Sequence, residues 1–295
     1  MATLKRQILV TLISLLSFFG KGFCDKNSLV EKQVKISDEL TLHYAEQGAP
    51  DGEPVILLHG YSDSWHSYEL VMPLLPESLH VYAVSMRGHG NSSRPAGSYH
   101  PDVMADDIAD LMKNLGINKA AIVGHSLGAT VAQSFATRYL DKITAIVLIG
   151  GFAHYNKKTI YDFKAAVDLL TDPIEPAFVS EFQKSTLYRS IPKAFFKTVV
   201  SESMKVPVAV WKSVVSTMLG CNYLDALQKI SIPTLLIWGN RDVFASIEDQ
   251  QLLQRAIKSS KLSIFKNVGH GVHWEDPGKF SKEIRAFLSQ NLSEN

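Results

Sequence analysis

A serine hydroxyl is a poor nucleophile until a base takes its proton, and the base needs a third group to hold its tautomer. The serine whose surroundings fit that task is Ser126, in Gly124-His125-Ser126-Leu127-Gly128. A short apolar run, residues 120–123, leads into it, and a helical pattern through Gln133, Ser134, Phe135 and Ala136 leads out. That is strand, tight turn and helix with the serine at the apex. Gly124 and Gly128 let the two elements pass close to a side chain held on a strained turn. The backbone N–H of Leu127 opens the helix, where partial positive charge collects and an oxyanion would be stabilised.

In an open parallel sheet, ligands gather beyond the carboxyl ends of the strands. The base and its orienting acid are therefore sought just after strands downstream of Ser126. Asp242 lies four residues past Trp238, where the apolar run 233–238 ends, and His270 lies five past Phe265, where the run 261–265 ends. The order Ser126, Asp242, His270 is the one such a strand–turn–helix nucleophile requires. His273 is the rival base, closer to the last helix. Asp225 precedes the 233–238 strand, on its wrong side, and Glu248 already belongs to the helix after it. His125 is adjacent to the serine, but neighbouring side chains on a tight turn diverge, so it reads as a packing residue. His59 and His89 read as loop-shaping residues. Trp65, His66 and Tyr61 either line a pocket or form a buried aromatic cluster.

Stepping outward, residues 32–37 and 40–47 read as a hairpin turned at Ser37-Asp38-Glu39. In its second strand Leu40, Leu42 and Tyr44 alternate with Thr41, His43 and Ala45, a half-buried pattern. Residues 54–58 are continuously apolar, as in a strand covered on both faces. Gly60 follows, free to turn N–H groups inward. A short helix is expected over 65–75 with Ser64 as its cap. A strand over 80–85, a helix over 101–115 stopped by Gly116, and a strand over 143–149 ending in Gly150-Gly151 come next. From 152 to 219 aromatic residues recur among helical patterns broken by Pro173, Pro176, Pro192 and Pro207, and no strand is evident. That stretch reads as a helical insertion over one end of the sheet. Helices over 247–258 and 278–288 complete the alternation. The fold class is α/β, with a mainly parallel sheet flanked by helices.

Of 295 residues, 46% are apolar and 20% charged, and the net charge is +1, which gives no footprint for nucleic acid. Cys24 and Cys221 make neither a disulfide framework nor a metal pair, so no metal or cofactor is expected. Residues 1–24 have the form of a signal peptide: Lys5 and Arg6, then an apolar stretch over 8–19, then Gly22 and Cys24 as small residues before a cleavage point. The apolar stretch is too short to span a bilayer comfortably. The expectation is an exported protein, periplasmic or secreted, with no stable membrane span after cleavage; the alternative is an uncleaved N-terminal tether. Removing Lys5, Arg6 and Lys21 leaves 27 basic against 29 acidic residues, a net charge of −2. Oligomeric state is not legible. The expected organisation is leader 1–24, core 25–151, helical insertion 152–220, and core 221–295.

His59-Gly60, Arg87-Gly88-His89-Gly90-Asn91-Ser92, Gly124-His125-Ser126-Leu127-Gly128, Gly239-Asn240-Arg241-Asp242 and the stretch from Gly269-His270 to Pro277, in that order, resemble the α/β-hydrolase family. The resemblance covers nearly all of the chain after its leader. It implies Ser126 as nucleophile, Asp242 as orienting acid and His270 as general base. It implies the backbone N–H groups of Tyr61 and Leu127 as an oxyanion hole, and the helical insertion as a lid over the substrate pocket. The acid that often opens the second motif is Ser85 here, which leaves the partner of Arg87 open. A serine at 126, rather than the aspartate of epoxide hydrolases and dehalogenases, points to acyl transfer on a small-molecule ester or another acyl substrate such as a thioester or lactone, with a carboxylic ester of small to medium acyl chain the first expectation. The alternative is hydrolysis of a carbon–carbon bond in a diketone acid, for which Lys157, Lys158, Lys164 and Arg189 would have to face the pocket. A binding protein that keeps the fold without turnover is the non-enzymatic alternative.

Overall fold

The computed structural model describes residues 29–292; the expected leader over 1–24 lies outside them. The strands, in chain order, are β1 (Val30–Lys35), β2 (Thr41–Gly48), β3 (Glu53–Leu58), β4 (Leu79–Ser85), β5 (Ala120–His125), β6 (Ile143–Ile149), β7 (Thr234–Gly239) and β8 (Ser260–Phe265). The helices are α1 (Pro101–Leu115), α2 (Leu127–Arg138), α3 (Lys158–Asp168), α4 (Pro176–Ser185), α5 (Lys193–Met204), α6 (Val208–Met218), α7 (Leu224–Leu227), α8 (Ile247–Ala256), α9 (Val272–Glu275) and α10 (Pro277–Leu292). All eight strands join one sheet in the order β1-β2-β4-β3-β5-β6-β7-β8. The β1–β2 and β2–β4 pairings are antiparallel and the rest parallel. The order reverses around β3, so β3 and β5 lie side by side at the centre and their carboxyl ends open together.

The central strands are apolar throughout because both faces are covered. On one side they meet α1, α2, α8 and the helices between β6 and β7 through residues such as Ile56, Ile122, Leu148, Phe135 and Trp211. On the other they meet Tyr68, Met72, Phe280 and Ile284, the last two from α10. Burying one such side chain stabilises the fold by roughly 1.5–3 kcal/mol, so this two-faced core fixes where the strand ends point.

Two local expectations are corrected. β2 is buried on both faces, with His43 and Gln47 buried as well as Leu42. It lies inside the sheet between β1 and β4, and its polar face finds partners within the protein: Gln47 Nε2 donates to the Met72 carbonyl at 2.9 Å, and His43 Nε2 lies 3.0 Å from Glu31, while His43 Nδ1 is buried without one among the described residues. Alternation records polarity, not exposure. The helix expected over 65–75 is instead two 3₁₀ turns, Trp65–Tyr68 and Met72–Leu74. Pro73 has no N–H to give and disfavours helical backbone at the residue before it, so one continuous α-helix cannot form. The Ser64 cap does form, with its Oγ accepting from His66 N at 3.3 Å.

α3 to α6 lie between β6 and β7 in the chain, where the helical insertion is expected. No helix among the described residues is long and apolar enough to cross a membrane.

Candidate active site

Ser126 sits between β5 and α2 with φ +53° and ψ −111°, a conformation that a residue with a Cβ adopts only under constraint. The constraint is visible. Ser126 N donates to the Ile149 carbonyl at 2.9 Å, and Gly128 N donates to the His59 carbonyl at 3.0 Å. The strand and helix approach so closely that a Cβ on Gly124 would lie 2.1 Å from the Gly128 carbonyl oxygen, and one on Gly128 would lie 2.2 Å from that of Leu58. Both glycines of the motif are therefore set by backbone against backbone. Leu127 N is the first N–H of α2, and Tyr61 N follows β3. Among the described residues neither donates to a backbone carbonyl.

Asp242 follows β7 and His270 follows β8, and the two meet: His270 Nδ1 lies 2.7 Å from Asp242 Oδ2, with both side chains buried. The other carboxylate oxygen, Oδ1, accepts from Phe244 N at 2.8 Å and Ala245 N at 3.0 Å, so the acid cannot rotate away. Gly150, at φ +54°, lies against this pair, where a Cβ would come within 2.9 Å of the imidazole. The end of β6 thus supplies space rather than an acid.

The His270 loop is tied on three sides. His270 N donates to the Thr186 carbonyl at 2.8 Å, and Gly271 N reaches the same oxygen at 3.2 Å. The His270 carbonyl accepts from His125 Nε2 at 3.1 Å, and Gly269 N donates to Glu275 Oε1 at 2.9 Å. Glu275 also accepts from Tyr188 N and Arg189 N, which pins this loop to the segment after α4. With Nδ1 committed to Asp242, Nε2 is the His270 nitrogen left for Ser126, and both residues line one cavity. Its wall is completed by aromatic and aliphatic side chains, among them Tyr61, Phe152, Phe163, Phe182, Met218, Phe244 and Trp274, with Asp63, Gln183 and Thr186 as polar members.

The rivals stand elsewhere. His273 is fully buried in α9 with Nε2 3.1 Å from Ser67 Oγ, outside the cavity wall, and burial lowers it to about 3. Asp225 and Glu248 are exposed. His125 does line the cavity, but its Nε2 donates to a carbonyl, so its role is to hold the His270 loop; burial keeps it well below the ordinary histidine range. His59 Nε2 accepts from Met86 N at 3.0 Å, so its Nδ1 donates to the Gly60 carbonyl at 2.8 Å, and the ring braces the loop after β3. His89 Nδ1 donates to the Arg87 carbonyl, and burial lowers that ring to about 4. Trp65 and His66 stack on each other at 3.9 Å outside the cavity wall, whereas Tyr61 belongs to it. Arg87 finds its acid in α1: Nε and Nη2 meet the two oxygens of Asp107 at 2.5 and 2.6 Å.

Several wall residues were not singled out from sequence: Asp63, Gln183, Thr186 and Phe244. Asp63 carried a signal, an acid three residues past Gly60 at the end of a buried strand. The other three are positioned only by how the insertion and the β7–α8 loop fold back over the sheet edge. Among the described residues, no group of histidine, cysteine, aspartate and glutamate side chains could hold a metal ion.

A family model described as alpha/beta hydrolase fold matches residues 53–277, and the chain belongs to that family. One relative is an AB hydrolase superfamily protein, YisY, of Bacillus subtilis, 29% identical over 268 residues that cover 86% of this chain and 97% of the relative. Among solved structures, an esterase of Exiguobacterium antarcticum superposes with a TM-score of 0.80 at 19% identity, covering 88% of this chain and all of the other. The 2-hydroxy-6-oxo-6-phenylhexa-2,4-dienoate hydrolase of a Rhodococcus species superposes with a TM-score of 0.77 at 20% identity, covering 89% and 99%. At those identities the likeness is one of fold.

Proposed function

We propose that this chain is an exported serine hydrolase that cleaves carboxylic esters through Ser126, His270 and Asp242. The observation that carries the reading is the His270–Asp242 pair facing the same cavity as a serine on a strained turn. Ser126 Oγ attacks the ester carbonyl carbon while His270 Nε2 takes its proton, and the carbonyl oxygen becomes an oxyanion facing the N–H groups of Tyr61 and Leu127. The tetrahedral species collapses, the C–O bond to the alcohol breaks, and His270 returns the proton to the leaving oxygen. Water then attacks the acyl-enzyme with His270 again as base, releasing the acid and restoring Ser126. One oxyanion donor is typically worth about a hundred- to a thousand-fold in rate.

The apolar wall favours an ester over an anionic diketone. Lys157 pairs with Asp249, Lys158 with Asp162, and Lys164 with Asp168, while Arg189 reaches Asp276 and the Lys266 carbonyl. None of the four lines the cavity. Helices α3 to α6 act in this reading as the lid. Export rests on the sequence of residues 1–24, and N-terminal sequencing of the native protein tests it: a start at Asp25 is expected, and a start at Met1 contradicts it. For the chemistry, purified protein is expected to hydrolyse p-nitrophenyl esters of short to medium acyl chains. Turnover of a 2-hydroxy-6-oxodienoate with none of the esters would overturn the ester reading.

A further inference from the structure

One ionisable side chain in the cavity wall has no part in this chemistry. Asp63 is 3% exposed and lines the cavity. Among the described residues it forms no ion pair with a lysine, arginine or histidine, and no lysine or arginine is in the wall around it. Its side-chain partner is Gln183 of α4, whose Nε2 donates to Asp63 Oδ1 at 2.9 Å; the Gly60 N–H also donates to the carboxylate, and the one basic ring that acts on it, His270, is already held by Asp242. The Gln183 amide is shared, since it also lies 2.8 Å from Ser203 Oγ and 3.4 Å from Ser62 Oγ. Two amide hydrogens thus serve three acceptors, and a neutral amide supplies no compensating charge. Burial accordingly raises the Asp63 carboxyl to about 7. A desolvated carboxylate is costly until an opposite charge meets it.

The rest of the wall fits one kind of counter-charge. Tyr61, Phe152, Phe163, Phe182, Phe244 and Trp274 surround the same space, and aromatic faces attract cations. A carboxylate entering here would meet a like charge and no lysine or arginine. A hydroxyl would make a hydrogen bond but leave the charge uncompensated.

We infer that the substrate carries an alkylammonium group close to its scissile bond, and that Asp63 is the counter-ion for it inside an aromatic enclosure. This rests on the ester reading for the word substrate, but the site is testable without turnover. The probes are n-hexylammonium, 1-hexanol and hexanoate, matched in chain length, titrated by calorimetry into the wild-type protein and Asp63→Asn at pH 8. The wild type is expected to bind hexylammonium at least about tenfold more tightly than hexanol, the scale of a desolvated cation–π and charge-assisted contact, and hexanoate more weakly than either. In Asp63→Asn the ammonium and the alcohol are expected to bind within about threefold of each other. Equal or tighter binding of hexanol or hexanoate by the wild type would overturn the inference, and this comparison decides even if the variant does not fold. Retained ammonium preference in a protein that turns over no ester would overturn the ester reading and leave this site standing. Ester turnover without the preference would do the reverse.

Discussion

Asp242 spends one oxygen on His270 and the other on two backbone N–H groups, so replacing the carboxylate by an amide keeps shape and loses tautomer control. Asp242→Asn is expected to lower kcat by about 10³- to 10⁴-fold with KM nearly unchanged, as for an orienting acid in such a triad; steady-state kinetics on one p-nitrophenyl ester checks it. A fall in KM-limited binding with kcat retained would assign Asp242 a different role. At this scale Asp242 and His270 were legible because each follows a β run by a few residues, which places both at the same sheet edge. The partner of Arg87 was not legible, because Asp107 comes from α1 and only the packing of that helix brings it there. Gln183 and Thr186 were equally hidden, since nothing in their local pattern says which way the insertion folds back.

Among the elements, the strand–turn–helix at Ser126 has no slack. Gly124→Ala or Gly128→Ala drives a methyl into backbone at 2.1–2.2 Å and is expected to cost more than about 3 kcal/mol or prevent folding. Gly278 of α10 is the control, because a Cβ there meets nothing within 4 Å. Gly278→Ala is expected to stabilise by about 0.5 kcal/mol by restricting the unfolded chain. Urea denaturation of the three variants separates the cases, and equal stabilities would contradict the packing described for the turn. Arg87 and Asp107 tie the loop after β4 to α1 with both side chains largely buried. Removing either partner alone, Arg87→Met or Asp107→Leu, is expected to cost about 3–5 kcal/mol, and the double variant less than the sum of the two. The central strands were readable as apolar runs, and α10 as Phe280, Ile284 and Leu288 on one face, all three of which are buried. The coverage of β2 was not, since His43 and Gln47 look like solvent-facing residues until β1 and the 3₁₀ segments close over them.

Across the whole molecule, buried histidines set the response to acid. His59, His89, His125 and His273 are all held neutral by burial, His89 at about 4 and His273 at about 3. Below pH 6.5 the unfolded chain binds protons that the folded chain refuses, so stability is expected to fall as pH drops from about 6.5 toward 3. Asp63 acts with the opposite sign: raised to about 7, it keeps its proton in the fold while the unfolded carboxyl has lost it. Its contribution therefore declines as pH rises from about 4 to 7. Denaturation midpoints measured from pH 4 to 8 are expected to rise with pH, and more steeply in Asp63→Asn than in wild type; a steeper rise in wild type would contradict the assignment. The architecture as a whole was legible because a parallel sheet covered on both sides needs continuous apolar strands. The cavity was not, because its wall comes from seven separate stretches of chain that meet only in three dimensions.

The proposed chemistry stands or falls with Ser126 as the nucleophile. The direct measurement is peptide mass spectrometry after treatment of the folded protein with a fluorophosphonate. Stoichiometric modification at Ser126 with loss of ester turnover is expected, and neither labelling nor turnover in Ser126→Ala. Undiminished turnover in that variant, or modification at another serine, would contradict that chemistry.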